Sequence, residues 1–138
     1  MILDTNIISE PLKPEPNFRV MDWLNEQDIT QFYTTTINLA EVFFGVEILP
    51  EGKQKRLFKS ALSKFFDRQI SSRILPFDVR AAQEYVSLVA SARRRGHTIS
   101  FADGQIAAIA SVNGFPVVTR DESPFHNLGI SVVNPWCL

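Results

Sequence analysis

Apolar and polar positions along this chain repeat with two periods. Short apolar or β-branched runs at Met1–Leu3, Phe32–Thr35, Ile74–Phe77, Val117–Thr119 and Ile130–Val133 predict strands. Between them lie longer stretches with helical spacing. Thr5–Glu10 predicts little more than one turn, followed by a rigid connector with three prolines between Pro11 and Pro16. Asn17–Gln27 carries Val20, Met21, Trp23 and Leu24 on one side and predicts an amphipathic helix. Asn38–Leu49 predicts an apolar helix that stops before Pro50.

The clearest helical pattern is Gln54–Gln69. Leu57, Phe58, Ala61, Leu62, Phe65 and Phe66 form its apolar stripe, and Lys53, Lys55, Arg56, Lys59 and Lys64 take the other, solvated face. Asp78 caps a long helix that runs to Arg95 and ends at Gly96, and Ser100 caps another that runs to Asn113 and closes at Gly114. Strands separated by helices, without tight hairpins, predict an α/β sandwich with a mainly parallel sheet of about five strands and helices on both faces. The length of 138 residues suits a single domain over residues 1–138.

Sites in such sheets form beyond the carboxyl ends of the strands. Asp4 and Asp121 each lie just past a predicted strand, while Glu41 and Asp103 lie early in predicted helices, so four carboxylates are placed on one rim. Clustered carboxylates repel one another, and a divalent cation with hard oxygen ligands, Mg²⁺ or Mn²⁺, removes the conflict. Such a site can activate water against a phosphodiester. Thr5, Asn6 and Thr119 supply neutral groups able to orient the acids. Each acid also has a plainer reading. Asp4 could cap the following turn, Asp103 could complete a capping box with Ser100, Asp121 could serve a turn, and Glu41 could sit on an exposed helix face.

Two other phosphoryl-transfer classes fit less well. An aspartyl-nucleophile phosphatase usually has a second Asp two residues after the first, where this chain has Asn6. A receiver domain would have a Lys after the late strand, where Arg120 stands.

The run Met1-Ile2-Leu3-Asp4-Thr5-Asn6, the segment Thr36-Ile37-Asn38-Leu39-Ala40-Glu41, the segment Asp103-Gly104-Gln105-Ile106 and the triplet Thr119-Arg120-Asp121 together resemble the PIN domain family, over essentially the whole chain. They are most similar to the VapC-type toxins of toxin–antitoxin pairs, in the FitB branch. The resemblance implies a PIN-like α/β/α fold and a Mg²⁺- or Mn²⁺-dependent endoribonuclease, with Asp4, Glu41, Asp103 and Asp121 as catalytic, metal-holding acids and Thr5, Asn6 and Thr119 in support. It implies an RNA substrate, a homodimer, and a small antitoxin through which alone the protein meets DNA. A catalytically silent protein serving as the antitoxin-binding half of a DNA-bound complex is the alternative.

Composition adds bounds. One cysteine, Cys137, forms no internal disulfide and leaves no zinc pattern, which with the absence of a signal-like N-terminus or a long apolar run suggests the cytoplasm and no membrane. Arg93, Arg94 and Arg95 suit a helix C-terminus and are also candidates for RNA phosphate contact. His97 and His126 read as loop residues. Most of the eleven Phe must fill the core, and the adjacent pairs Phe43-Phe44 and Phe65-Phe66, which cannot both face inward easily, are candidates for a dimer or antitoxin surface, with core filling the plainer reading for any one of them.

The net charge of −1 argues at first against nucleic acid. With four of the 15 acids confined to one pocket, the remaining 11 face 14 basic residues, and that objection falls away.

Overall fold

A computed structural model describes residues 1–138. The strands are short. In order they are β1 (Ile2–Leu3), β2 (Thr34–Thr35), β3 (Ile74–Leu75), β4 (Val117–Val118) and β5 (Val132–Val133). β1, β4 and β5 pair in parallel as β1-β4-β5, and β2 pairs in parallel with β3. A parallel bridge between Ile2 and Tyr33 joins the two pieces, with Leu3 N donating to Tyr33 O (2.8 Å) and Tyr33 N to Met1 O (2.9 Å). The result is a five-stranded parallel sheet of order β3-β2-β1-β4-β5.

Seven α-helices cover it: α1 (Thr5–Ser9), α2 (Phe18–Glu26), α3 (Thr36–Glu47), α4 (Lys53–Lys64), α5 (Val79–Arg94), α6 (Phe101–Asn113) and α7 (Glu122–Asn127). Their ends follow from side-chain chemistry. Asn17, Thr35, Asp78 and Ser100 each accept a hydrogen bond from a backbone amide of the first turn of the helix that follows. Gly114 closes α6 at φ 68°, a left-handed conformation that a Cβ disfavours.

Strand alternation divides the core in two. Ile2 and Val117 face α5, α6 and α7, where they meet Ile106, Ile109 and Phe125. Leu3 and Val118 face the other side, where Ile7, Val20, Val42, Leu62 and Phe66 fill the space.

Several expectations need correction. The strands are two residues long rather than three or four; β2 runs directly into α3 and β1 is separated from α1 by Asp4 alone. α4 ends at Lys64 and continues as a π turn over Phe65–Gln69, closed by Ile70 N to Phe65 O, which seats Phe66 and Ile70 in the core. Lys55 is buried rather than solvated, since its ammonium donates to Glu47 O (2.9 Å) and Glu51 Oε1 (2.6 Å). Leu57, assigned to the apolar stripe, is exposed. His126 is not in a loop: it lies in α7, and its Nε2 is 3.2 Å from Glu122 Oε1, one turn away. Of the phenylalanine pairs, Phe44 alone is strongly exposed, while Phe43 packs on Phe66 with ring centroids 5.4 Å apart.

Candidate metal centre

β1 and β4 are parallel neighbours, so Asp4 and Thr119, each just beyond its strand, emerge side by side at the carboxyl edge of the sheet. Asp4 is almost fully buried. Its Oδ1 accepts from Thr5 N (2.8 Å) and Asn38 Nδ2 (2.9 Å), and its Oδ2 accepts from the Thr119 hydroxyl (2.8 Å). Thr119 Oγ1 in turn accepts from Asn6 Nδ2 and from Asp121 N, both at 3.0 Å, so that hydroxyl is saturated. Thr5 passes the network outward by donating from Oγ1 to Glu41 Oε1 (2.8 Å).

Burial pushes the Asp4 carboxyl above the usual carboxylate range. The Thr5 amide and Thr119 hydroxyl favour its charged form, while the negative charges of Asp103 and Glu41 oppose it. None of Asp4, Glu41, Asp103 or Asp121 forms a salt bridge with a Lys, Arg or His. A carboxylate this buried, with acidic neighbours and no protein cation, is an uncompensated charge.

The candidate residues are therefore placed unequally. Asp4, Glu41, Thr5, Asn6 and Thr119 share one hydrogen-bond network. Asp103 reaches Asp4 through its charge. Its backbone amide takes the Ser100 cap (3.1 Å), whereas its carboxylate does not return the bond, so the capping box is half formed and the acid is left free. Asp121 is exposed at the start of α7, does not cap it, and joins the network only through its backbone amide. Arg95 is engaged, donating to Asn127 O (2.8 Å), while Arg93 and Arg94 are exposed.

As they stand, no three acidic side chains approach closely enough to enclose one ion, a spacing that mutual repulsion favours. Their chemistry fits a hard cation nonetheless, because the donors are all oxygen and the buried charge lacks a partner.

Sequence reasoning missed Asn38. It is fully buried, accepts from Thr35 Oγ1 (2.7 Å), and donates to both Asp4 and Thr5 Oγ1 (3.2 Å). The signal available was its position three residues after Thr35 at the head of a helix, where a polar residue meets the cap.

Gly104 fixes the approach of α6 to α5. A Cβ there would lie 2.6 Å from Tyr85 Cε2 and 3.0 Å from Val89 Cγ2. The Tyr85 ring cannot easily yield, since Phe77 and Phe101 pack edge-on to it at 6.2 and 5.3 Å. Gly104→Ala is expected to lower stability by about 1–3 kcal/mol through overpacking, partly offset by roughly 1 kcal/mol of helix propensity. Urea denaturation checks this, and the loss should shrink when Tyr85→Leu makes room.

The PIN domain family model matches residues 1–130. The chain belongs to the PIN domain family. Among relatives of this PIN domain, a protein named VapC ribonuclease Y4jK from Sinorhizobium fredii is 42% identical over 136 residues, spanning 99% of this chain and 97% of that one. Toxin FitB from Neisseria gonorrhoeae is 40% identical, spanning 99% and 98%. A solved structure of FitAB bound to an IR36 DNA fragment contains a chain that superposes with TM-score 0.95 at 39% identity, covering 99% of this PIN domain and 96% of that chain. The PIN-like α/β fold read from the sequence is thereby borne out.

Proposed function

We propose that this PIN domain, acting as one unit over residues 1–138, is a metal-dependent endoribonuclease and the toxin of a VapBC- or FitAB-like pair. The observation that carries the reading is the buried Asp4 carboxylate, flanked by Glu41 and Asp103 and paired with no protein cation. Asp4, Glu41, Asp103 and Asp121 would hold Mg²⁺ or Mn²⁺. When bound, such an ion supplies Lewis acidity for activating water and stabilising phosphoryl charge.

The protein's own groups do the rest. Asn38, Thr119 and the Thr5 amide fix both Asp4 oxygens, so the carboxylate needs no reorganisation when the phosphodiester arrives. Thr5 holds Glu41 towards the same rim. Asn6 orients the Thr119 hydroxyl so that its single proton points to Asp4.

The antitoxin reading has its own support. A groove of about 370 Å³ begins at Thr5 and Glu41 and runs over Val46, Leu49, Phe58 and Leu62. An apolar segment carrying an arginine would fill its floor and pair with the acid rim. A solved FitAB complex is bound to a DNA fragment, which supports an antitoxin partner and a DNA-bound complex; on this reading the protein is a homodimer that meets DNA only through its antitoxin. No helix is long and apolar enough to cross a membrane, and an RNA substrate suits the cytoplasm. A silent antitoxin-binding role is not favoured, since a relative of nearly full length is named a ribonuclease.

The test is incubation of purified protein with end-labelled RNA in MgCl₂ or in EDTA. Cleavage in MgCl₂ alone, leaving 5′-phosphate and 3′-hydroxyl ends, is expected from direct attack by water. Cleavage that persists in EDTA, or 2′,3′-cyclic phosphate products, would contradict the reading.

A further inference from the structure

Arg120 sits between Thr119 and Asp121, and its backbone N–H donates to Asn6 Oδ1 (3.3 Å). Asn6 donates to Thr119 (3.0 Å), which donates to Asp4 (2.8 Å), so three hydrogen bonds tie the Arg120 backbone to the buried carboxylate. Its side chain is exposed and forms no salt bridge, although Asp121 and Glu122 follow it directly.

The guanidinium lies instead over the ring of Trp136, with Cζ 5.2 Å from the centroid. That ring is brought there by a dedicated turn. Trp136 N donates to Asn134 Oδ1 (3.0 Å), and Asn134 Nδ2 donates to Glu122 Oε2 (2.7 Å). Glu122 also meets His126 (3.2 Å), so α7 and the C-terminal turn together brace the indole against Arg120.

A guanidinium held by its face keeps its in-plane N–H donors open for bidentate contact with an anion. Three other arginines are spent. Arg73 donates to the carbonyls of Phe32, Ile29 and Gln69, Arg80 to Val112 O and Arg95 to Asn127 O. Arg19, Arg56, Arg68, Arg93 and Arg94 are open, but no hydrogen-bond path ties their side chains to Asp4. A rim of carboxylates repels a polyanion, so a strand laid across it needs a cation beside the acids.

We propose that Arg120, braced on Trp136, binds a backbone phosphate of the RNA strand beside the scissile one. This rests on the ribonuclease reading above. The assignment makes Arg120 a binding residue, with Trp136 as the positioning residue that presents it.

The test is fluorescence anisotropy with a labelled single-stranded RNA oligonucleotide in MgCl₂, across a KCl series. The parent is Asp103→Asn, which keeps the strand uncut. Arg120→Gln is expected to weaken binding several-fold and to reduce the slope of log affinity against log salt by roughly 0.7, the value for one phosphate contact on a single strand. Arg120→Lys should restore the slope, because it keeps the charge. Trp136→Leu should weaken binding on its own and add little to Arg120→Gln. In the otherwise unaltered chain, Arg120→Gln should raise KM with kcat unchanged, and its Tm should match that of the parent chain.

A parent that binds RNA while Arg120→Gln leaves affinity and slope unchanged overturns the proposal alone. A parent that binds no RNA overturns the ribonuclease reading and this proposal with it.

Discussion

Asp4→Asn is expected to slow RNA cleavage by roughly 10³-fold, about 4 kcal/mol of transition-state stabilisation. The substitution conserves shape and removes one negative charge from the centre of the acid cluster. It also disturbs a saturated hydroxyl. Thr119 gives its only proton to Asp4 Oδ2 and accepts from Asn6 and Asp121 N, so an amide NH₂ at that position would face an oxygen with no free lone pair. Folding should survive, because a buried charge without a cationic partner is removed at the same time. Initial rates on labelled RNA in MgCl₂, with circular dichroism as the check on folding, read this out. A rate within threefold of the unaltered protein would remove Asp4 from the chemistry.

The second large effect is expected at Asn38. Asn38→Ala leaves the Thr35 hydroxyl without its acceptor and takes one donor from Asp4, both in buried surroundings. The orphaned Thr35 hydroxyl costs about 1–3 kcal/mol, so a clear fall in Tm should accompany a loss of activity of roughly 10- to 100-fold. The isosteric Asn38→Asp should be worse still at neutral pH. It would put a second carboxylate at the position of a nitrogen that lies 2.9 Å from Asp4 Oδ1, and two such groups cannot both ionise cheaply. Its extra instability should diminish as pH falls and the pair takes up a proton. Thermal unfolding of the two variants between pH 5 and 8 checks the order. An Asn38→Asp protein as stable as the unaltered chain at neutral pH would show that the residue does not face a charged Asp4.

Much of this fold was legible because helix ends are local chemistry. Asp78, Ser100 and Gly114 do at their positions what their side chains, or the lack of one, predict. What escaped depends on distant contacts. Lys55 reads as one charge among five on a helix face, and its burial follows from the Glu47 carbonyl and Glu51 carboxylate arriving from the preceding helix and turn. α7 was hidden by its six-residue length and by Pro124, which is tolerated because first-turn N–H groups have no intrahelical acceptor. That helix accounts for the Glu122–His126 contact as well.

That Asp4 and Thr119 emerge side by side was legible for a topological reason: residues that end neighbouring parallel strands share an edge. The polar support behind the acids was only half legible. Thr5, Asn6 and Thr119 adjoin the acids in sequence, whereas Asn38 lies among Ile37 and Leu39 and reads as part of an apolar helix. The near-neutral net charge, first an argument against nucleic acid, now describes two surfaces. One is an acid cluster around Asp4 and the other is a set of cations elsewhere, among which Arg120 stands closest to the network by hydrogen bonding.

Burial and the neighbouring acids raise the folded-state pKa of Asp4 above its ordinary 3.8, so its charged form costs stability at neutral pH. That cost is relieved as pH falls through the raised value towards 3.8, and a bound divalent cation should relieve it without any change of pH. The direct test is thermal unfolding of chelator-treated protein with and without MgCl₂, beside Asp4→Asn. At a 100-fold excess over Kd, the cation should stabilise the unaltered protein by about 2.7 kcal/mol, a rise of several degrees in Tm, and should leave Asp4→Asn nearly unmoved. An equal shift in both proteins, or none in either, would contradict a metal centre built on Asp4.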